Sequence, residues 1–308
     1  MTEMPELLKF PRTPHIVGSS IQVGDDRAIT RLSDLVGRGD ITLTEKIDGK
    51  NTGFRFSSGG DLLIQNRGAY IDMASIPSGP DNSLGLFAKW LEIYEDDFLG
   101  VIEDRYIIYG EWMATLHSVF YDGLPGYFLE YDVFDTRDGV FLSTNRRQEL
   151  LRGLPIDSVP RLFHGTSLTM DELISMAGPS HFRSAPSELI DNLRHACGMA
   201  SDNFQERLGK LDGSDDMEGV YIRIENDNSV VFRAKWVRPG FTQAIAASSE
   251  HWSKRFPVCN LLAKPVPGYP PHLVRAARGT DDVEYSSESP GAWKAWLRDP
   301  SNTMRPRY

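Results

Sequence analysis

From Ile41 to Ile47 apolar and polar positions alternate, with Ile41, Leu43 and Ile47 on one phase and Thr42, Thr44 and Lys46 on the other. A period of two is the mark of a strand with one buried face, and Glu45 is the exception to it. Asp48-Gly49 is a turn signal, after which "NTGFRF" resumes as a strand. "DLLIQNR" (Asp61 to Arg67) predicts the next strand. A Gly/Pro/Ser/Asn-rich loop, Ser75 to Ser83, then leads to an amphipathic helix from about Leu84 to Leu99. "DRYIIYGEW" and "GYFLEYDVFD", rich in aromatic and β-branched residues, predict two further strands. The connection between them, "MATLHSVFYDGLP", is able to line a cleft.

From Asn145 the period becomes helical in "NRRQELLRGL", in "SLTMDELISMAG" behind a Ser/Thr cap, and in "SELIDNLRHACGMASDNFQERLGKL". "EGVYIRIENDNSVVFRAKWV" predicts a long hairpin turning at "ENDN". After Pro239-Gly240 comes a helical stretch to about Ala263, a Pro-rich connector "KPVPGYPPH", and a helix in "GAWKAWLRD". Strands first, helices in the middle and strands again predict an α+β fold built on antiparallel sheets; without alternating βα units a doubly wound sheet is not expected.

With 40% hydrophobic positions in 308 residues the chain can bury a large core in one or two domains. No run reaches the roughly 18 to 20 apolar residues a membrane helix needs. The start, "MTEMPELLKFPRTPH", lacks the basic and apolar parts of a secretory signal. Cys197 and Cys259 are far apart and form no CxxC pair, so neither a disulfide framework nor a structural zinc site is expected. These features predict a cytoplasmic protein with no membrane partner. The net charge of −10 argues against a polyanionic partner until its distribution is considered. Arg233 to Tyr308 carries 12 Lys and Arg against 6 Asp and Glu, a local balance of +6, leaving −16 to the preceding residues. An acidic body with a basic C-terminal portion is compatible with nucleic acid lying across one face.

Lys46, in a strand that runs straight into Asp48, Gly49 and Asn51, reads either as a solvated side chain beside a turn or as a nucleophile. A nucleophilic lysine must spend time deprotonated, and partial burial and neighbouring cations lower its usual pKa of about 10.4. Gly49 would let the backbone approach a ligand, and Asp48 and Asn51 offer polar contacts. Glu111 in "IYGEWM" and Glu218 in "DMEGVYIRI" are carboxylates on predicted strands. Arg233 and Lys235 in "VVFRAKWV" share one strand face, opposite Phe232, Ala234 and Trp236. Two inward cations are costly in a core but useful against a phosphate. A lysine, two carboxylates and a basic pair are the parts needed to bind a nucleoside triphosphate, hold a metal and attack phosphorus.

The ordered series "EKIDGKN", "QNRG", "YGEW", "FLEYDVFD", "EGVYIR", "FRAKW", spanning about Thr44 to Val237, resembles the motifs of covalent nucleotidyltransferases, the polynucleotide ligases and mRNA capping enzymes. It is most similar to ATP-dependent RNA ligases of the phage nick-sealing type and their bacterial relatives, and Asn51 supports RNA ligases over DNA ligases. The resemblance implies that Lys46 forms lysyl-AMP from ATP and passes AMP to the 5′-phosphate of RNA ends or nicked RNA for sealing by a 3′-hydroxyl. It further implies that Arg67 contacts ribose or phosphate, Glu111 the ribose hydroxyl, and Tyr131 the adenine face, with Phe128 as the other candidate stacker. Glu218 would hold Mg2+ (or Mn2+), and Arg233 and Lys235 would brace the α-phosphate. End-healing enzymes are the partners implied. The ligase domain is expected over residues 1–240, and 241–308 as a small, mainly helical, basic region too short for a further β-barrel.

Other residues have plainer readings. His117, in the loop after Glu111, is read as a surface or locally bonded histidine ahead of one facing the cleft, Asp215-Asp216 as a solvated turn rather than a metal site, and "RRQELLR" (Arg146 to Arg152) as an exposed helix face ahead of an RNA contact. Trp293 and Trp296 read as helix packing, while His251-Trp252 is divided between packing and RNA contact. The competing functions are a DNA ligase, a capping guanylyltransferase and an inactive nucleic-acid-binding protein of the same fold.

Overall fold

The computed structural model describes residues 4–21, 28–72, 83–197, 211–241, 258–267, 269 and 273–275. Thirteen strands among them form two sheets. The first runs β11 (Arg161–Gly165), β3 (Asp40–Lys46), β12 (Gly219–Glu225), β13 (Val230–Val237), β1 (His15–Ile16) and β2 (Ile29–Thr30). The second runs β10 (Asp157–Ser158), β8 (Phe128–Asp135), β7 (Tyr106–Trp112), β4 (Lys50–Phe56), β5 (Leu62–Asn66) and β6 (Tyr70–Ile71), with β9 (Val140–Phe141) also against β8. Pairing is antiparallel except where β1 meets β13 and β2 and where β10 meets β8. The helices are α1 (Ser83–Ile93), α2 (Glu95–Ile102), α3 (Thr144–Leu150), α4 (Met170–Met176) and α5 (Pro186–Ala196). This is the expected α+β class on antiparallel sheets.

The turn at Asp48-Gly49 does not make a hairpin. β3 ends at Lys46 in the first sheet and β4 starts at Lys50 in the second, so Ile47, Asp48 and Gly49 carry the chain between sheets. Gly49 is required by this crossing, since a Cβ there would collide with Met113 Sδ and crowd the Trp112 carbonyl. β3 is buried on both faces. Ile41 and Leu43 join Val220, Ile222, Ile224, Ala234 and Trp236 in one core, while Thr42 and Thr44 turn the other way. Glu45, the exception to the alternation, is buried with the apolar phase because Ser180 Oγ (2.5 Å) and His181 N (3.1 Å) and Nδ1 (3.0 Å) bond its carboxylate.

The second sheet packs an aromatic core of Phe54, Phe87, Trp90, Phe98, Trp112 and Phe128 beneath α1 and α2. The single helix read from Leu84 to Leu99 is two. The backbone leaves helical geometry at Tyr94 (φ −112°, ψ 17°), and Glu95, Asp96 and Asp97 then favour a new helix start by facing its positive dipole end. α4 starts as the sequence predicts, from a Thr169 capping box in which Glu172 N donates to Thr169 Oγ1 and Thr169 N to Glu172 Oε2. In "RRQELLR" the reading of an exposed face fails at Arg147, which is 2% exposed and pairs with buried Glu130 at 2.7 Å.

Residues 258–262 are extended rather than helical, contrary to the stretch read to Ala263. They pair with the connection after β7: Leu116 N donates to Val258 O (2.9 Å), Leu261 N to Tyr121 O (2.8 Å), and fully buried Asn260 donates to Met113 O (2.7 Å). Backbone groups of the connection satisfied by this segment are unavailable to a helix. His251-Trp252, Trp293 and Trp296, the "GAWKAWLRD" helix and most of the loop from Ser75 to Ser83 lie outside the described residues.

Candidate active site

A cavity of about 490 Å³ opens between the two sheets, where β3 crosses to β4. Lys46 lies at its wall, 20% exposed, because it closes the polar phase of β3 and that phase faces the second sheet. Its neighbour in the first sheet is Gly219, where a Cβ would run into the Trp236 carbonyl. Glu218, one residue earlier, thus sits at the strand start and accepts from Lys46 Nζ at 2.7 Å. Lys235, opposite Tyr221 in the β12–β13 ladder, also lines the cavity.

The second sheet supplies the facing wall. Asn51 and Glu111 are register partners on β4 and β7, so both point into the cavity. Asn51 Nδ2 donates to the hydroxyl of Tyr131 from β8, and the Tyr131 ring packs edge-on against Phe10, with centroids 5.0 Å apart. Arg67 reaches the rim from the β5–β6 turn, which Asn66 Oδ1 holds by accepting from Gly68 N (2.8 Å) and Ala69 N (2.9 Å). Asp48 faces the cavity, but its Oδ2 is occupied by Ser118 N (2.7 Å) and Val119 N (3.3 Å), and Tyr121 OH meets its backbone N–H (2.8 Å). Asp48 therefore anchors the connection after β7, a role its place in the sequence did not suggest.

Eight of the nine residues singled out in the sequence line this cavity; Arg233 does not. Its guanidinium lies over Phe141 (4.1 Å) and pairs with buried Asp132 at 3.2 Å. Arg223, overlooked in the sequence, is the arginine of β12 that lines the cavity. It is 1% exposed and donates to Thr44 Oγ1 (3.1 Å) and to the Tyr131 carbonyl (2.5 Å), which fixes the base of the tyrosine. The "ENDN" hairpin held a signal for it, since that turn sets Arg223 beside Arg233 and Tyr221 beside Lys235. Phe10 and Thr13, whose hydroxyl bonds Tyr221, come from an N-terminal segment without periodicity. His117, for which the sequence favours a surface or local-bond role over the cleft, lines the cavity half-buried, and Phe128 is in the aromatic core.

The electrostatics invert the expectation for Lys46. Burial opposes its charge, but attraction and hydrogen bonding to Glu218, supported by Glu111 and Asp48, outweigh burial and hold the ammonium well above its ordinary pKa. Burial pushes Glu218 up to about 7 against the pull of Lys46, and Glu111 up to about 8. Glu111 Oε2 is enclosed with no hydrogen-bond partner among the described residues. The site thus combines an amine whose charged form is favoured, two carboxyls whose protonated forms burial favours, and an enclosed carboxyl oxygen suited to a donor. No group of three or more His, Cys, Asp or Glu among the described residues is placed to enclose a metal ion by itself.

The family model described as RNA ligase matches residues 39–237. Among solved structures, Naegleria gruberi RNA ligase with PPi is similar at 14% identity and TM-score 0.42, covering 77% of this chain and 62% of that one. Two point-mutant forms of the same protein, both with ATP and Mn, match at 15% and 14% identity with TM-scores of 0.43, covering 74% and 77% of this chain and 60% and 62% of theirs. This chain spans about three-fifths of the length of those structures. No curated protein matches it.

Proposed function

Because the chain belongs to the RNA ligase family, we propose that it is an ATP-dependent RNA ligase that joins a 3′-hydroxyl to a 5′-phosphate through AMP held on Lys46. The observation that carries this reading is the convergence on one cavity of Lys46, its 2.7 Å partner Glu218, Glu111 and Lys235. Lys46 Nζ, once deprotonated, attacks the α-phosphorus of ATP; an N–P bond forms and the bond to pyrophosphate breaks, its electron pair leaving with that group. A 5′-phosphate oxygen of RNA then displaces Lys46 from phosphorus, and the amine regains its proton. Attack by the 3′-hydroxyl on the RNA phosphorus expels AMP and makes the phosphodiester, the hydroxyl proton passing to solvent.

The ammonium of Lys46 must lose its hold on Glu218 before it can attack. Lys235 and the edge-supported ring of Tyr131 would bind phosphate and adenine, and the partnerless Oε2 of Glu111 fits a ribose hydroxyl. A divalent cation, magnesium or manganese, supplies neutralisation of phosphate charge when bound. Glu218 would hold it, and its hard oxygen donors suit such an ion. With so few carboxylates the remaining positions would fall to water and phosphate oxygens, as magnesium prefers. Two cysteines far apart in the sequence, in no CxxC pair, fit a reducing compartment such as the cytoplasm, with repair of broken RNA as the setting. The test is incubation with α-labelled ATP and metal, wild type against Lys46→Ala, followed by parallel RNA and DNA nicks. Labelling that survives Lys46→Ala refutes the mechanism, and sealing of DNA alone refutes the substrate.

A further inference from the structure

Asp48 pins Ser118 and Val119, and this fixes the preceding residue, His117, against the start of β4. His117 and Lys50 both line the cavity; burial lowers the imidazole pKa, the Asp48 carboxylate pulls it back up, and the Lys50 charge is near enough to lower it further. Neither side chain has a hydrogen-bond or ion-pair partner among the described residues. Three of the cavity's carboxylates are engaged elsewhere, Glu45 by Ser180 and His181, Asp48 by the connection and Glu218 by Lys46, and so are not paired with Lys50 or His117. Lys50 is half-buried, and burial disfavours its charge with nothing nearby to compensate. An unpaired, partly desolvated ammonium costs stability unless an anion meets it. A lysine and an imidazole N–H at a cavity wall are donors suited to phosphate oxygens.

We propose that Lys50 and His117 form a phosphate subsite beside Lys46, filled by the terminal phosphates of ATP or by the 5′-phosphate of RNA. The inference rests on the ligase reading and adds to it a site outside the residues that brace the α-phosphate. Loss of one charge-assisted contact weakens binding by about 10- to 100-fold.

The test compares wild type, Lys50→Ala, Lys50→Arg and His117→Asn, all checked for an unchanged melting temperature. Three reactions are followed: lysyl-AMP formation across ATP concentrations, AMP transfer from isolated lysyl-AMP enzyme to 5′-phosphate RNA, and sealing of RNA already carrying 5′-adenylate. Inorganic pyrophosphate binding is measured by calorimetry on the same four proteins. If the subsite takes ATP phosphates, Lys50→Ala and His117→Asn raise the KM for ATP and weaken pyrophosphate binding at least tenfold. If it takes the RNA end, they slow transfer by that factor and leave pyrophosphate binding alone. In either case Lys50→Arg restores most of the loss and sealing of pre-adenylylated RNA is the least affected. Values within twofold of wild type in every reaction overturn the subsite while leaving the ligase reading intact. Absence of lysyl-AMP in wild type overturns the ligase reading, and the subsite with it.

Discussion

Glu111→Gln isolates a single buried carboxyl whose energetics are set by its surroundings. Burial pushes Glu111 up to about 8, against 4.5 as the ordinary value, with attraction to Lys46 offsetting part of the effect. In the folded protein this carboxyl binds its proton more tightly than in the unfolded chain. Where native protein holds more protons than unfolded protein, stability falls as pH rises. The penalty is absent below the unfolded pKa, grows through the window between the two values, and is complete above about 8. Its slope is about 1.4 kcal/mol per pH unit, so between pH 5.5 and pH 8 Glu111 costs the fold about 3 kcal/mol.

Glutamine keeps the shape and cannot ionise, so the variant escapes this penalty. The stability difference, Glu111→Gln minus wild type, should therefore grow by about 3 kcal/mol in favour of the variant from pH 5.5 to pH 8. Urea unfolding at several pH values measures it; titrating groups outside the cluster of Lys46, Asp48, Glu218 and Arg67 that acts on Glu111 are common to both proteins and cancel in the difference. A difference that stays flat with pH would show that the enclosed Oε2 is not desolvated as the structure has it. A difference of opposite sign would mean that Lys46 dominates Glu111 outright, and would refute the ordering of burial over attraction.

Lys235→Glu should reduce lysyl-AMP formation by at least 100-fold, because a carboxylate would repel the phosphate at the first chemical step; normal labelling with α-labelled ATP counts against the assignment. Asn260→Ala removes donors and acceptors from Met113 O and Tyr121 N in a fully buried setting, at a cost of about 3 kcal/mol that a urea titration would detect. His181 is raised above its ordinary pKa by its hydrogen bond to Glu45, so its stabilisation is fully present below about 6.5 and is lost as pH climbs through the raised value. His181→Ala should thus be destabilising at pH 5.5 and nearly neutral at pH 9; equal effects at both would remove the link to Glu45.

The strands that carry Lys46, Glu111, Tyr131, Glu218 and Lys235 were legible because alternation and β-branched or aromatic content are local properties. What the alternation could not reveal is which sheet a strand joins. Asp48-Gly49 serves a hairpin or a crossing equally well, and only the pairing of β3 with β12 and of β4 with β7, partners distant in sequence, decides between them. Arg233 was misplaced in space for the same reason. Its strand face was read correctly, but buried Asp132, from the other sheet, captures the guanidinium before it reaches the cavity. Phe10, Arg223 and Asn260 escaped notice because each acts through contacts distant in sequence. Arg147 was hidden by composition, since an arginine-rich helix looks solvated until the partner carboxylate of Glu130 is known.

The same long-range pairing explains why the charged form of Lys46 is favoured. Burial alone would release its proton, as the local sequence suggests, but β12 delivers Glu218 to hydrogen-bond distance through the Gly219–Lys46 register. The amine is thereby kept charged and positioned, and its reactivity becomes conditional on whatever neutralises Glu218. A cavity of this kind protects an idle lysine from adventitious acylation at neutral pH, because an ammonium has no lone pair to donate. Under the ligase reading, deprotonation of Lys46 would follow the arrival of cation and triphosphate, whose charges would replace the lysine as the counterweight to the carboxyl. The acidic wall and the partly desolvated Lys50 fit the proposed phosphate subsite: the carboxyls favour the charged form of Lys46, and an ammonium whose charge burial disfavours suits an incoming anion.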